Sequence, residues 1–256
     1  MTPEELNDFM NSNALAVMMV FMRIGTALMV LPGVGDAFVP RRIRLFLAFG
    51  VSLVMMPVLK PMLPSELPPV DELLLILSVE FLVGFLIGGM ARMIFSALDV
   101  AGRIFSTMGG LMNSQLFNPI FASQGSLVGA FFIITAMALL FSTNLHHMVI
   151  RGMFFSYDVF PFGEMPDIRS LAETMATALS KSFELGFMLA APIVIVGLLL
   201  HILKALFARL VPQIQVLILF LPAQITIGLI TLMFVTSTVF LFWLEYFEAG
   251  MSFLFR

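Results

Sequence analysis

The 256-residue sequence contains no cysteine and little charge. The absence of cysteine excludes disulfide bonds, zinc sites built from thiolates and cysteine nucleophiles. Only 11% of the residues are charged, whereas soluble domains carry about 25%. The net charge of −3 and the pI near 5.6 provide no basic surface for nucleic acid.

Hydrophobic residues make up 60% of the chain, and the mean hydropathy is +1.06. Such a chain cannot cover a soluble globule with polar side chains, so we expect it in lipid or buried in a large assembly. Apolar runs of 17–29 residues, long enough to span a membrane, occur six times. The runs are Ala14–Pro32, Ile43–Leu59, Leu73–Leu98, Leu127–Ile150, Leu179–Lys204 and Val216–Leu244. Because strand-like alternation is absent, we predict an all-α polytopic membrane protein of about six broken or bent helices.

At this length the runs are expected to form a single membrane domain over residues 1–256. We divide it into an N-terminal part, 1–178, and a C-terminal helical hairpin, 179–256. Positive charge is concentrated around the connectors after the first, third and fifth runs, at Arg41, Arg42, Arg44, Arg92, Arg103, Lys204 and Arg209. These connectors should therefore face the cytoplasm. Pro212 and Gln213 form a turn signal after Arg209, which predicts a cytoplasmic tip of the hairpin.

One central segment is polar but uncharged. No Lys, Arg, Asp or Glu occurs between Arg103 and Arg151, and residues 104–126 are rich in Gly, Asn, Gln and Ser. A flexible polar connector is one interpretation, but a solvated loop of this length should carry about five or six charges. The composition therefore favours a loop at membrane depth, buried in protein or lining a cavity. Its deformable or bulky apolar side chains are candidates to close a pore, namely Met108, Met112, Leu116, Phe117 and Phe121.

Some charged residues lie inside the apolar runs. Glu80 in the third run, Arg23 in the first and Arg92 near the end of the third are costly in hydrocarbon unless paired or hydrated. A proton or ion relay is one interpretation, and an interhelical or intersubunit ion pair is the other. We prefer the ion pair, because a relay requires a chain of acids that the sequence lacks.

No catalytic or metal-binding pattern is visible. The zinc-protease motif HExxH and a serine nucleophile elbow are absent. Adjacent His146 and His147 should point about 100° apart on a helix, so structural hydrogen bonding with Asn144 is preferred over a shared metal. We therefore expect no metal, no cofactor and no enzymatic activity.

Several motifs occur together in an order typical of one family. They are Phe21–Gly25, Leu31–Gly33, Val39–Leu45, Glu80 with Gly84 and Gly88, Asp99–Gly102, Met108–Gly109, Asn118–Pro119, Asn144–His147 and Ala208–Gln213. The set resembles the FliR family of flagellar export-gate proteins over about residues 14–244. Asn118 stands where the family usually has aspartate, and Leu145 stands where it has glycine.

The resemblance implies a subunit of the bacterial flagellar type III protein-export gate in the inner membrane of the flagellar basal body. Its implied partners are FliP and FliQ, the switch protein FlhB, and unfolded export substrates. The implied architecture is a closed, helically arranged hetero-oligomeric channel, with residues 104–125 forming a plug. The alternative is a secondary transporter of a small solute with Glu80 and Arg92 as coupling residues; an intramembrane enzyme has no recognisable site.

Overall fold

The computed structural model describes residues 3–36, 38–63, 68–113, 126–213 and 216–252. These residues form seven α-helices and two short 3-10 helices, without a strand, which confirms the predicted all-α class. The helices are α1 (Pro3–Val30), α2 (Arg41–Leu59), α3 (Val70–Met108), α4 (Leu127–Ser142), α5 (Leu145–Val159), α6 (Ile168–Leu210) and α7 (Val216–Met251). The 3-10 helices are Lys60–Met62 and Leu111–Asn113.

Five of the described helices, α1, α2, α3, α6 and α7, are long and apolar enough to cross a membrane. Helices α4 and α5 form a further candidate span that bends by 76°. The bend lies at Asn144, whose φ of 60° is left-handed. Asparagine adopts this conformation more readily than most residues, so the fourth apolar run folds as two helices instead of one.

Two helices extend past both ends of their apolar runs. Helix α3 has 39 residues and α6 has 43, which corresponds to about 58 and 65 Å at the rise of an α-helix. Ion pairs between residues four apart, Asp99 with Arg103 in α3 and Arg169 with Glu173 in α6, lie in these extensions. Such pairs support a helix in polar surroundings, so the charges that end an apolar run do not end the helix.

The chain divides into two compact units, so the expected single domain with its hairpin from residue 179 stays a prediction. The first unit comprises residues 1–93, 144–178 and 248–256, and the second comprises 94–143 and 179–247. In the first, α3 crosses α1 closely, because a Cβ on Gly84 would overlap the Arg23 carbonyl oxygen and one on Gly88 would lie 2.6 Å from that of Ala27. Glycine at these two positions brings the helix backbones together.

The second unit is centred on aromatic packing. Trp243 of α7 is fully buried, and its indole Nε1 donates to the Ile94 carbonyl of α3 at 3.1 Å. Its ring packs edge-on against Phe95, with centroids 4.8 Å apart. The approach of α4 to α3 again depends on glycine, since a Cβ on Gly102 would overlap the backbone of Gly129. These contacts hold α3, α4 and α7 around the start of the uncharged loop.

Candidate functional site

Arg23 and Glu80 form a buried ion pair between α1 and α3. Arg23 Nε donates to Glu80 Oε2 at 2.6 Å, and Nη2 donates to Oε1 at 2.9 Å. The side chains are only 1% and 0% exposed. The pairing follows from the helix crossing, because Glu80 lies one turn before Gly84, which contacts the Arg23 backbone.

Further contacts occupy the rest of the Arg23 guanidinium. Its Nη1 donates to the Ser156 carbonyl at 3.0 Å, and its Nη2 donates to that of Phe160 at 2.9 Å. The Tyr157 ring lies beneath it, with its centroid 4.0 Å from the guanidinium carbon. The site therefore joins α1, α3 and the C-terminal end of α5. Both Glu80 oxygens accept from Arg23, an arrangement suited to a fixed ion pair.

Arg92 lies apart from this pair, so the structure brings together only two of the three predicted charges. Arg92 Nη2 donates to Asp36 Oδ1 at 2.8 Å, and Nη1 donates to the Val30 carbonyl at 2.8 Å. Asp36 also accepts from the backbone N–H of Gly33 at 2.8 Å. Arg92 thus ties the turn after α1 to α3, and its side chain is half exposed.

The uncharged loop leaves α3 through a glycine turn packed against α6 and α7. A Cβ on Gly197 of α6 would lie 2.9 Å from the Met108 side chain, and one on Gly228 of α7 would lie 2.8 Å from Gly109 Cα. Gly110 has a left-handed φ of 75°, a conformation that glycine adopts without a steric penalty. The start of the loop thus lies between α6 and α7.

The far end of the loop returns to α3. Ser126 caps α4 by accepting from the Gly129 N–H at 3.0 Å. Its hydroxyl donates to the Gly102 carbonyl at 2.9 Å and lies 2.7 Å from that of Ser106. Because the one Ser126 proton goes to Gly102, Ser106 is the donor in the serine pair. The loop therefore begins and ends on the same end of α3.

The predicted pore-closing residues are only partly within the described structure. Met108 and Met112 are half-buried. The Thr107 hydroxyl donates to the Arg103 carbonyl at 2.8 Å and lies 3.3 Å from the Met112 sulfur. Met112 therefore folds back onto α3. Leu116, Phe117 and Phe121 lie outside the described residues, so their role stays a prediction.

The predicted tip residues lie at the C-terminal end of α6 and in the turn that follows it. Arg209 is in the last turn of α6, and Pro212 and Gln213 are in the turn that follows, all three exposed. A basic residue at this place is favourable beside the negative end of the helix dipole. The position fits a contact surface, and the cytoplasmic role stays a prediction.

The two histidine rings lie closer together than their Cβ directions suggest, and the preferred hydrogen bonding with Asn144 stays a prediction. The rings of His146 and His147 lie side by side, with centroids 4.1 Å apart, because rotation about the side-chain bonds offsets the divergence of their Cβ directions. His147 also lines a surface cavity of about 400 Å³ with Asn144, Met148, Arg151 and Phe155. Among the residues that the structure describes, no three His, Asp or Glu side chains form a metal-binding group.

Four polar residues that anchor the loop were not identified from the sequence as anchors, namely Ser106, Ser126, Lys204 and Gln224. Gln224 accepts from Lys204 Nζ at 2.9 Å and donates through Nε2 to the Met108 carbonyl at 2.8 Å. Gln224 is the only amide side chain in the apolar run Val216–Leu244. An amide in a membrane span needs a hydrogen-bond partner. The isolated glutamine is therefore the sequence feature that indicates a buried polar contact at this position.

Comparison with known proteins identifies the family. The family model for bacterial export proteins, family 1, matches residues 14–250. Flagellar biosynthetic protein FliR of Caulobacter vibrioides is 30% identical over 89% of this chain and 90% of its own length. The FliR proteins of Aquifex aeolicus and Bacillus subtilis are 30% and 27% identical, over 86% and 88% of this chain and 84% and 87% of their own. The chain therefore belongs to the FliR family of bacterial export proteins.

Proposed function

We propose that this chain is a subunit of the bacterial flagellar type III export gate, and that it helps to form and to plug the channel for unfolded flagellar proteins. The observation that carries the proposal is the double anchoring of the uncharged loop. At its start Met108 packs on Gly197 of α6 and Gly109 packs on Gly228 of α7. Its end is bonded to α3 through Ser126. A loop tethered at both ends is suited to block a pore repeatedly without being lost into it.

The seal consists of Met108 and Met112 at the base of the loop and of Leu116, Phe117 and Phe121 within it. Apolar side chains around a narrow opening exclude water and ions, as hydrophobic constrictions do in channels. Methionine is flexible enough to repack when a polypeptide passes. The absence of charge in this segment would let substrates of varied sequence slide past without tight electrostatic binding.

The partners in this proposal are FliP and FliQ as gate subunits and FlhB as the switch protein, in the bacterial inner membrane. Large apolar side chains on α6 and α7 support packing in lipid and against other subunits, since Ile195 is 63% exposed and Phe234 is 73% exposed. Arg209, Pro212 and Gln213 would then be at the cytoplasmic entrance. The proposed role is a structural and gating one, without catalysis.

Identification of the complex tests this assignment. A tagged copy of the chain is expressed in a flagellated bacterium that lacks its own copy, extracted with a gentle detergent, and weighed by native mass spectrometry with its co-purifying subunits. We expect a large complex that contains FliP and FliQ and restored motility. A lone 28.3 kDa chain that drives ion-coupled solute uptake would instead favour the transporter.

Charge reversal tests the proposed tip separately. Arg209→Glu should weaken the association of FlhB and reduce secretion while the complex still assembles, because the exposed positive charge is lost. Normal FlhB association and normal secretion would remove Arg209 from the proposed entrance.

A further inference from the structure

A polar chain links the hairpin to the start of the loop. The Lys204 ammonium of α6 donates to Gln224 Oε1, and Gln224 Nε2 of α7 donates to the Met108 carbonyl at the end of α3. An ammonium can only donate and a carbonyl can only accept, so the chemistry fixes which way the amide points. Gln224 is 6% exposed, while Lys204 and Met108 are half-buried, so its two bonds are partly shielded from water.

The Met108 carbonyl belongs to the helix end, where carbonyls lack intrahelical partners. The Gly109 N–H bonds to the Phe105 carbonyl at 2.8 Å, and the Gly110 N–H bonds to that of Thr107 at 3.3 Å. Gln224 supplies the bond to the Met108 carbonyl. Gln224 therefore caps α3 from a different helix, at the residue where the chain turns into the loop.

The contacts around this cap leave it little freedom. A Cβ on Gly110 would lie 3.1 Å from Gln224 Cδ, so the turn backbone lies directly on the amide. Met108 rests on Gly197 of α6, and Gly109 rests on Gly228 of α7. A displacement of the hairpin would thus act on the turn both through the hydrogen bond and through backbone contact.

We propose that Gln224, oriented by Lys204, is a positioning residue that holds Met108 and Met112 in the sealing position. The proposal rests on the proposed gate function, and it adds that the hairpin controls the seal. Loss of the Gln224 donor frees the Met108 carbonyl, and the turn then leaves the hairpin. A partly buried hydrogen bond of this kind corresponds to about a tenfold shift in the ratio of held to released turn.

The absence of native cysteine in the chain allows a direct test with a single reporter thiol. Met112→Cys is introduced into the assembled gate, and its rate of reaction with a maleimide is measured in membranes alongside ion conductance in planar bilayers. Gln224→Glu has the same size and still pairs with Lys204, but it cannot donate to the Met108 carbonyl. We expect it to raise the labelling rate about tenfold and to raise conductance.

Two further variants control the result. Thr226→Val removes a hydroxyl that bonds within α7, to the Pro222 carbonyl at 2.9 Å, and it should change neither measurement. The exchange of Lys204→Gln with Gln224→Lys restores a donor toward Met108, so it should return labelling and conductance toward the parent values. A merely structural role for Gln224 would show lower yield of the complex without faster labelling.

Unchanged labelling and conductance in the Gln224→Glu gate would overturn the positioning role. If that variant is not recovered in the complex, Lys204→Met serves instead, because it leaves the amide without its orienting partner; normal labelling there would overturn the role equally. A gate with residues 114–123 deleted separates the two proposals. If that gate does not leak, the plug function fails, while the labelling rate still decides whether Gln224 holds Met112.

Discussion

At the residue scale, Arg23 and Glu80 form a fully buried ion pair in the first unit. Both Glu80 oxygens accept from Arg23, and neither side chain is more than 1% exposed. Removal of one partner from such a pair costs roughly 3–5 kcal/mol, because the other charge stays buried without compensation. The pair therefore acts as a structural lock between α1, α3 and α5.

Glu80→Gln should destabilise the chain markedly, as measured by thermal unfolding of the detergent-extracted gate. The matched control is Glu173→Gln in an exposed i,i+4 pair, which should have little effect because such pairs contribute little. If Glu80→Gln leaves the thermal transition unchanged and abolishes an ion-coupled uptake instead, Glu80 is a coupling residue. The structural role of the ion pair is then wrong.

Exchange of the two residues sharpens this prediction. In the Arg23→Glu, Glu80→Arg variant the carboxylate at 23 would face the carbonyls of Ser156 and Phe160, which now accept from Arg23. We expect the exchange not to restore stability. Full recovery of thermal stability would show that the ion pair alone stabilises the site and that the carbonyl contacts of Arg23 do not contribute.

The sequence indicates that Glu80 needs a partner, but not which one. Arg92 is 12 residues further along the same helix, or about 18 Å away at the helical rise, so geometry alone argues against that pairing within the chain. The choice of Arg23 depends on the crossing of α1 and α3 at Gly84, a tertiary contact. No composition or spacing argument reveals that crossing in advance.

At the element scale, the glycines of α3 have distinct packing roles. Gly84→Ala should weaken the contact of α3 with α1, because the added methyl meets the Arg23 backbone, which cannot move aside easily. Gly50→Ala in α2 is the control, since nothing lies within 4 Å of its added Cβ, and the substitution favours a helix by up to about 1 kcal/mol. Thermal unfolding should show opposite signs for the two variants; equal effects would contradict the close crossing.

Element boundaries show where sequence reasoning succeeds and where it stops. Apolar runs locate the helices because lipid requires long apolar segments, but α3 continues beyond the C-terminal end of its run and α6 begins before the start of its run. Charged residues there occur as i,i+4 pairs on an exposed face, so the helix continues past them. The apolar run Leu127–Ile150 also does not reveal that its helix breaks at Asn144, because a single residue with left-handed φ makes the break.

At the scale of the whole molecule, the shortage of charge has a different meaning in the membrane spans and in the central loop. Across the spans it reflects the requirement of lipid, and many large apolar side chains remain exposed for lipid or neighbouring subunits. In the central loop it accompanies glycine, amide and hydroxyl residues, which a membrane span would not need. The composition thus indicated an unusual loop, whereas its anchors on Ser126 and Gln224 depend on tertiary contacts.

The central claim is that this loop seals the gate, and conductance tests it most directly. Assembled gates with the parent chain, and with residues 114–123 deleted from it, are reconstituted in planar bilayers after mass measurement has verified equal subunit content. We expect the parent gate to remain closed and the shortened one to conduct ions, because the deletion removes Leu116, Phe117 and Phe121 from the apolar seal. An intact shortened complex that is as impermeable as the parent would contradict the account.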